Sequence, residues 1–87
     1  MATPTQDEIY KKIDEKVRIG ALRADDAELL KRIFDTGPAS QSDHGADGDR
    51  GTDSLNRLIA AGYVVRKGGG FFLGGAPTYE LVLSSLE

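Results

Sequence analysis

The sequence predicts an α+β fold in which three helices precede a β-hairpin. Up to Gly62, apolar residues recur mostly at three- or four-residue spacing, as in helices that bury one face. Beyond Gly62 the apolar spacing changes to two, which is typical of strands. The chain has 87 residues, so it is expected to form a single domain over 1–87, with residues 1–4 disordered.

The first helix is predicted to run from Thr5 to about Arg18. Its first four residues, Thr5-Gln6-Asp7-Glu8, have the form of a capping box, in which the threonine hydroxyl accepts from the Glu8 N–H. A narrow apolar stripe then repeats every four residues: Ile9, Ile13 and Val17.

The second helix is predicted from Ala24 to Asp35, and its wide apolar arc marks it as the centre of the core. Gly37-Pro38 ends it, because glycine suits a left-handed terminal residue and proline cannot continue a helix. Residues 39–51 are rich in Ser, Asp and Gly and predict a mobile, acidic loop. The third helix is predicted over 52–61, capped by Thr52 or Asp53.

Two strands complete the prediction, over 63–67 and 78–83, with Gly68-Gly69-Gly70 making a tight turn after the first. Phe71 and Phe72 are adjacent, so in a regular strand they point to opposite faces. One phenylalanine is expected in the core. The other is expected to be exposed or covered by a partner.

Several short segments in this order resemble the winged helix-turn-helix of MarR-type transcriptional regulators. They are Ala27-Glu28-Leu29-Leu30-Lys31-Arg32-Ile33, Gly37-Pro38-Ala39-Ser40-Gln41-Ser42, Asp49-Arg50-Gly51-Thr52, Ala61-Gly62-Tyr63-Val64-Val65-Arg66 and Tyr79-Glu80-Leu81. The resemblance implies a winged-helix-like fold, with 52–61 as the recognition helix and 63–83 as the wing. This chain is shorter than the family pattern between Gly37 and Gly62, and the sequence stops at the wing, after which such regulators have a long dimerisation helix.

The first functional hypothesis is a small DNA-binding regulator or phage-type accessory factor. The third helix would enter the major groove of double-stranded DNA and the wing would contact the backbone. Four basic residues and one acidic residue lie between Arg50 and Lys67, which favours contact with phosphates. The residues expected to contact nucleic acid are Arg50, Ser54, Arg57, Arg66 and Lys67.

The alternative is a winged helix that binds a protein, as an inhibitor or adaptor, without binding DNA. The net charge of −3 and the acidic loop favour this alternative. Asp53 could then pair with Arg57 and Arg50 on an ordinary solvated helix face. The oligomeric state stays open at this stage.

Enzymatic chemistry is not expected from this composition. The chain has no cysteine and a single histidine, His44, which is expected in an exposed loop. Catalytic triads and zinc sites need more partners than that. Asp47, Asp49 and Asp53 fit the start of a calcium loop, but Thr52 and Leu58 occupy positions where the loop needs glycine and glutamate. The prediction is therefore no catalytic residues, no cofactor, no metal and no membrane span, in a cytoplasmic protein.

Overall fold

The computed structural model describes residues 5–68 and 77–87. Three α-helices come first: α1 Gln6–Arg18, α2 Ala24–Thr36 and α3 Asp49–Ala60. Two strands follow, β1 Val64–Lys67 and β2 Thr78–Leu81, and then a 3₁₀ helix, Leu83–Leu86. The predicted α+β fold class, with three helices followed by a hairpin, is confirmed.

Helix α1 begins where the capping pattern predicts. The Oγ1 of Thr5 accepts a hydrogen bond from the Glu8 N–H at 3.3 Å, which satisfies one of the amides left without a partner in the first turn. Ile9 and Ile13 are buried, and Val17 packs against the core from its margin. The four-residue spacing therefore identifies the buried face of this helix correctly.

Helix α2 lies at the centre of the core and packs against both α1 and α3. Leu30 and Ile33 are fully buried, together with Ala27 and Leu29. Burying a leucine or isoleucine side chain fully contributes roughly 1.5–3 kcal/mol relative to leaving it exposed. The wide apolar arc in the sequence gives α2 enough buried surface to hold both neighbouring helices.

Strands β1 and β2 pair antiparallel, with Val64 opposite Leu81 and Lys67 opposite Thr78. On the other side of β2, Ala39 forms an isolated antiparallel bridge with Tyr79. The extended positions therefore lie in the order Ala39, β2, β1. A short extended position after α2, followed by α3 and the hairpin, is consistent with a winged-helix-like layout.

The prediction of a mobile loop over residues 39–51 is wrong in two respects. Residues 49–51 belong to α3, which begins three residues before the predicted Thr52. Gly48 precedes the helix with a positive φ of 93°, and its carbonyl accepts from the Thr52 N–H at 2.9 Å. Thr52 and Asp53 therefore lie inside the helix and do not cap it. The second error concerns burial, because Ala46 is fully buried in the core.

The second strand ends at Leu81, two residues earlier than predicted. The Val82 N–H donates to the Tyr63 carbonyl at 2.8 Å, and the chain then turns into the 3₁₀ helix, where Leu86 is buried. Predictions for residues 1–4, for the Gly69-Gly70 part of the turn and for Phe71 and Phe72 lie outside the described residues. Within the described ranges, no helix has both the length and the apolar character needed to cross a bilayer.

Candidate interaction surface on the third helix

Helix α3 buries one face and exposes the opposite one. Leu55 and Leu58 point into the core, and their positions fix the orientation of the whole helix. Successive residues are rotated by about 100° around the helix axis, so spacings of three and four residues form one stripe. The stripe farthest from the core carries exposed Asp49, Asp53 and Asn56. We call these three residues the outer α3 face.

Ser54 is not available for contact with nucleic acid, contrary to the sequence prediction. Its residue surface is only 6% exposed. Its Oγ accepts a hydrogen bond from Nη2 of Arg57 at 3.1 Å. The physical reason is position on the helix, because Ser54 lies four residues before the buried Leu58 and therefore on the inward face.

Arg57 is held by a carboxylate from another helix. Its Nε donates to Oδ2 of Asp26 at 2.9 Å, and its Nη2 donates to Oδ1 of the same residue at 2.8 Å. Such a two-point contact fixes the orientation of the guanidinium plane as well as the position of its charge. The side chain of Asp26 is 5% exposed and that of Arg57 is 42% exposed. Arg57 thus pairs with Asp26 of α2, whereas the sequence had suggested Asp53 as its partner.

The Asp26 carboxyl is held in its charged form by its neighbours. Burial alone would raise its pKa, but hydrogen bonds from Arg57 and Ser54 and the positive charge of Arg57 outweigh that effect. The pKa of Asp26 is therefore below its ordinary value. The ion pair thus links α2 to α3 at neutral pH.

Acidification is expected to remove this contribution to stability. Because the pKa of Asp26 is lower in the folded chain, its contribution is complete above the ordinary aspartate value of about 4 and disappears as the pH falls through the folded value. The free energy of unfolding in urea should therefore fall more steeply below pH about 4 in the wild type than in Asp26→Asn. Equal slopes for the two proteins would contradict this assignment.

Arg50 lies in the first turn of α3, on the side that faces α2. It lines a cleft of about 230 Å³ together with Arg32 and three carboxylates, those of Asp25, Glu28 and Asp47. No hydrogen bond or ion pair of Arg50 is present in the described part of the chain. Its guanidinium is exposed but stands among more negative than positive side chains.

Arg66 and Lys67 lie on opposite faces of the hairpin because they are adjacent in a strand. Arg66 is opposite the buried Tyr79 and so belongs to the core-facing side, although it is itself exposed at the margin. Lys67 lies on the outer side and forms an ion pair with Glu80. One flat partner cannot easily contact both cations, so the structure does not bring the two predicted wing residues together.

Acidic side chains dominate the surface from residue 43 to residue 53. Four aspartates and one arginine occur in this segment, and all five are exposed. They are Asp43, Asp47, Asp49, Arg50 and Asp53. The local excess of basic residues counted along the sequence from Arg50 to Lys67 is therefore not a continuous basic surface, since aspartates border Arg50 and α2 neutralises Arg57.

His44 is buried, which corrects the prediction of an exposed loop histidine. Only 1% of its surface is accessible. Its Nε2 lies 2.9 Å from the Tyr79 carbonyl, and since a carbonyl only accepts, Nε2 is the donor. Its Nδ1 is buried without a hydrogen-bond partner in the described part of the chain. His44 thereby fastens the 40–48 segment to β2.

Replacing His44 is expected to destabilise the fold although the residue lies in a polar segment. His44→Ala removes a buried ring and the hydrogen bond to Tyr79, so the free energy of unfolding should fall by about 2 kcal/mol. Asp43→Ala, at the exposed neighbouring position, is the matched control and should change it by less than about 0.5 kcal/mol. Chemical denaturation followed by circular dichroism measures both, and equal effects would refute the structural role of His44.

Sequence reasoning missed two residues that organise this surface, Asp26 and His44. Asp26 looked like one of several acidic residues in a first helical turn, and only the crossing of α2 and α3 reveals its partner. In the described ranges, no three His, Asp or Glu side chains cluster in a way that could hold a metal ion. Comparison of the chain with protein-family models, curated proteins and solved structures found no match.

Proposed function

We propose that this chain is a non-enzymatic, cytoplasmic protein-interaction module with a winged-helix-like fold, acting as an inhibitor or adaptor. Its partner surface is the outer α3 face with the adjoining acidic segment 43–48. The observation that carries this proposal is the commitment of Arg57 to Asp26. With that arginine engaged, aspartates dominate the exposed part of α3.

The charge of this surface selects the kind of partner. Phosphate backbones repel carboxylates, and proteins that bind DNA use lysine and arginine to replace its counterions. Asp49 and Asp53 on the outer α3 face would oppose such contact in the major groove. A protein surface rich in lysine or arginine would instead complement them, chiefly through faster association and correct orientation.

DNA binding is the second candidate, and two exposed cations favour it. Arg50 and Arg66 form no ion pair within the described ranges, whereas Lys67 is paired with Glu80. A winged-helix-like layout could bring the first turn of α3 and the hairpin to one duplex. In that case Arg50 and Arg66 would make the main phosphate contacts, and Arg57 would contribute through its exposed edge.

A titration with two ligands tests the proposal. The ligands are a random-sequence DNA duplex and a short peptide rich in lysine and arginine, with a neutral peptide of equal length as control. Amide chemical shifts of residues 43–53 should move with the basic peptide and stay unchanged with DNA at low salt. Asp49→Asn and Asp53→Asn should each weaken peptide binding about threefold, the effect of losing one exposed charge pair.

The opposite pattern would overturn the proposal in favour of DNA. Duplex binding would then fall steeply as salt increases, because counterions are released at each phosphate contact. Arg50→Ala and Arg66→Ala should each weaken it and reduce its salt dependence. Asp7→Asn and Lys12→Ala, at exposed positions of α1, are the matched controls for the aspartate and arginine variants, and neither should change binding.

A further inference from the structure

The peptide bond between Asp47 and Gly48 is chemically distinct from the other bonds that follow an aspartate in this chain. It is the only place where glycine comes directly after aspartate. Glycine has no Cβ, so no side chain shields its backbone nitrogen from the preceding residue. The aspartate side chain is short and can reach the neighbouring main-chain nitrogen. A reaction between the Asp47 carboxyl group and the main chain therefore meets the least steric resistance at this bond.

The fold leaves both reacting groups accessible. Asp47 and Gly48 are exposed, and α3 begins only at the next residue. No acceptor for the Gly48 N–H lies among residues 5–68 and 77–87, and in the same ranges the Asp47 carboxylate forms no hydrogen bond or ion pair. The Gly48 nitrogen is thus outside the helix and free to approach the Asp47 side chain.

Asp53 and Ser54 provide the contrasting pair within the same part of the chain. Serine is also small, but both residues lie inside α3, and Ser54 is only 6% exposed. In a helix, the backbone N–H donates to the carbonyl four residues earlier. The Ser54 nitrogen is therefore held along the helix axis and turned away from the Asp53 carboxyl group.

We propose that Asp47-Gly48 is a site of spontaneous isomerisation to isoaspartate in the folded protein. The Gly48 nitrogen attacks Cγ of the protonated Asp47 carboxyl group, and the carboxyl hydroxyl leaves with the amide proton as water. Water then opens the resulting succinimide ring. Attack on the Cγ carbonyl restores aspartate. Attack on the main-chain carbonyl of Asp47 breaks its bond to the Gly48 nitrogen, and the chain then runs through Cβ and Cγ of residue 47.

The product is expected to disturb the start of α3, because the main chain between Ala46 and Gly48 becomes one atom longer. Ala46 is fully buried, and its carbonyl oxygen lies only 2.4 Å from the position of a Cβ on Gly51. The longer connection has to shift either the buried alanine or the first turn of α3. Isomerisation would thereby limit the lifetime of the acidic segment 43–48 as a partner surface, and only this last consequence rests on the proposed function.

Incubation of the folded chain for several weeks at neutral pH and physiological temperature tests the proposal. Tryptic digestion followed by electron-transfer fragmentation locates isoaspartate in the sequence, and labelling with an isoaspartyl methyltransferase measures its total amount. Isoaspartate should accumulate at residue 47 and not at Asp53. The isomerised protein, separated by ion exchange, should melt at a lower temperature than the unreacted protein. Equal melting temperatures would contradict the effect on α3.

Asp47→Glu is the decisive variant. Glutamate keeps the negative charge but would have to close a larger and less favourable ring, so the methyltransferase signal should be lost. Asp43→Glu, the same exchange at another exposed aspartate, is the matched control and should isomerise like the wild type. Circular dichroism checks that both variants are folded. An Asp47 that stays unmodified in the folded wild type would overturn the proposal. So would an equal rate at Asp53, since the fold would then not select the site.

Discussion

Gly51→Ala is expected to lower the free energy of unfolding by about 3 kcal/mol. A Cβ at this position would lie 2.4 Å from the carbonyl oxygen of Ala46 and 2.5 Å from its carbonyl carbon. These are backbone atoms, and a side-chain rotation cannot relieve the contact. The Ala46 carbonyl also accepts from the Gln41 side chain at 2.8 Å, so moving it would disturb the 41–46 turn as well.

Helix propensity alone predicts the reverse result. In an unobstructed helix, alanine is more favourable than glycine by about 1 kcal/mol. Asn56→Ala, on the exposed side of the same helix, is the control and should change stability by less than about 0.5 kcal/mol. Urea unfolding followed by circular dichroism measures both variants. If Gly51→Ala is as stable as the wild type, α3 does not approach the 41–46 turn as described.

Arg57→Ala is expected to lower the free energy of unfolding by about 2.5 kcal/mol. Removing the guanidinium leaves the Asp26 carboxylate buried without its counter-charge. Breaking a fully buried ion pair costs about 3–5 kcal/mol. We expect a cost slightly below that range because the Arg57 side chain is 42% exposed. Asp26→Ala should cost less, since an unpaired Arg57 can turn towards water.

The two changes should not be additive. Once Asp26 is alanine, removing Arg57 leaves no buried charge, so the double variant should be about as stable as Asp26→Ala alone. The double-mutant cycle should therefore give a coupling of about 2.5 kcal/mol, equal to the cost of Arg57→Ala alone. Arg50→Ala is the control and should be nearly neutral, because Arg50 forms no ion pair with any residue of 5–68 or 77–87. Additive effects of Asp26→Ala and Arg57→Ala would contradict the contact between α2 and α3.

Local chemistry explains why much of this fold could be predicted from the sequence. The Thr5–Glu8 cap, the spacing of Ile9 and Ile13, and the change to a two-residue period after Gly62 are all signals within a few residues of the feature they predict. The start of α3 was missed because Gly48 and Asp49 resemble loop residues. The helical conformation of Asp49 depends on the packing of Leu55 and Leu58 further along the chain, and Gly48 precedes the helix with a positive φ.

The candidate site was harder to predict, because its chemistry depends on pairs that are distant in the sequence. Arg57 meets Asp26 only after α2 and α3 have packed together, and sequence spacing offered Asp53 as the nearer partner. His44 meets Tyr79 from 35 positions away, and its polar neighbours give no sign of burial. Sequence reasoning correctly identified α3 as a surface helix, but it placed the buried Ser54 on the exposed face and offered Asp53 as the partner of Arg57.

The central claim is that Arg57 serves the α2–α3 contact and does not bind a nucleic acid. The hydrogen bonding of its side chain tests this claim most directly. A nitrogen–proton correlation spectrum can resolve its Nε–H, which donates to Asp26. We predict one sharp signal, protected from solvent exchange, that is lost in Asp26→Ala and unchanged when duplex DNA is added. A signal that exchanges freely in the wild type, or that shifts on addition of DNA, would contradict the account.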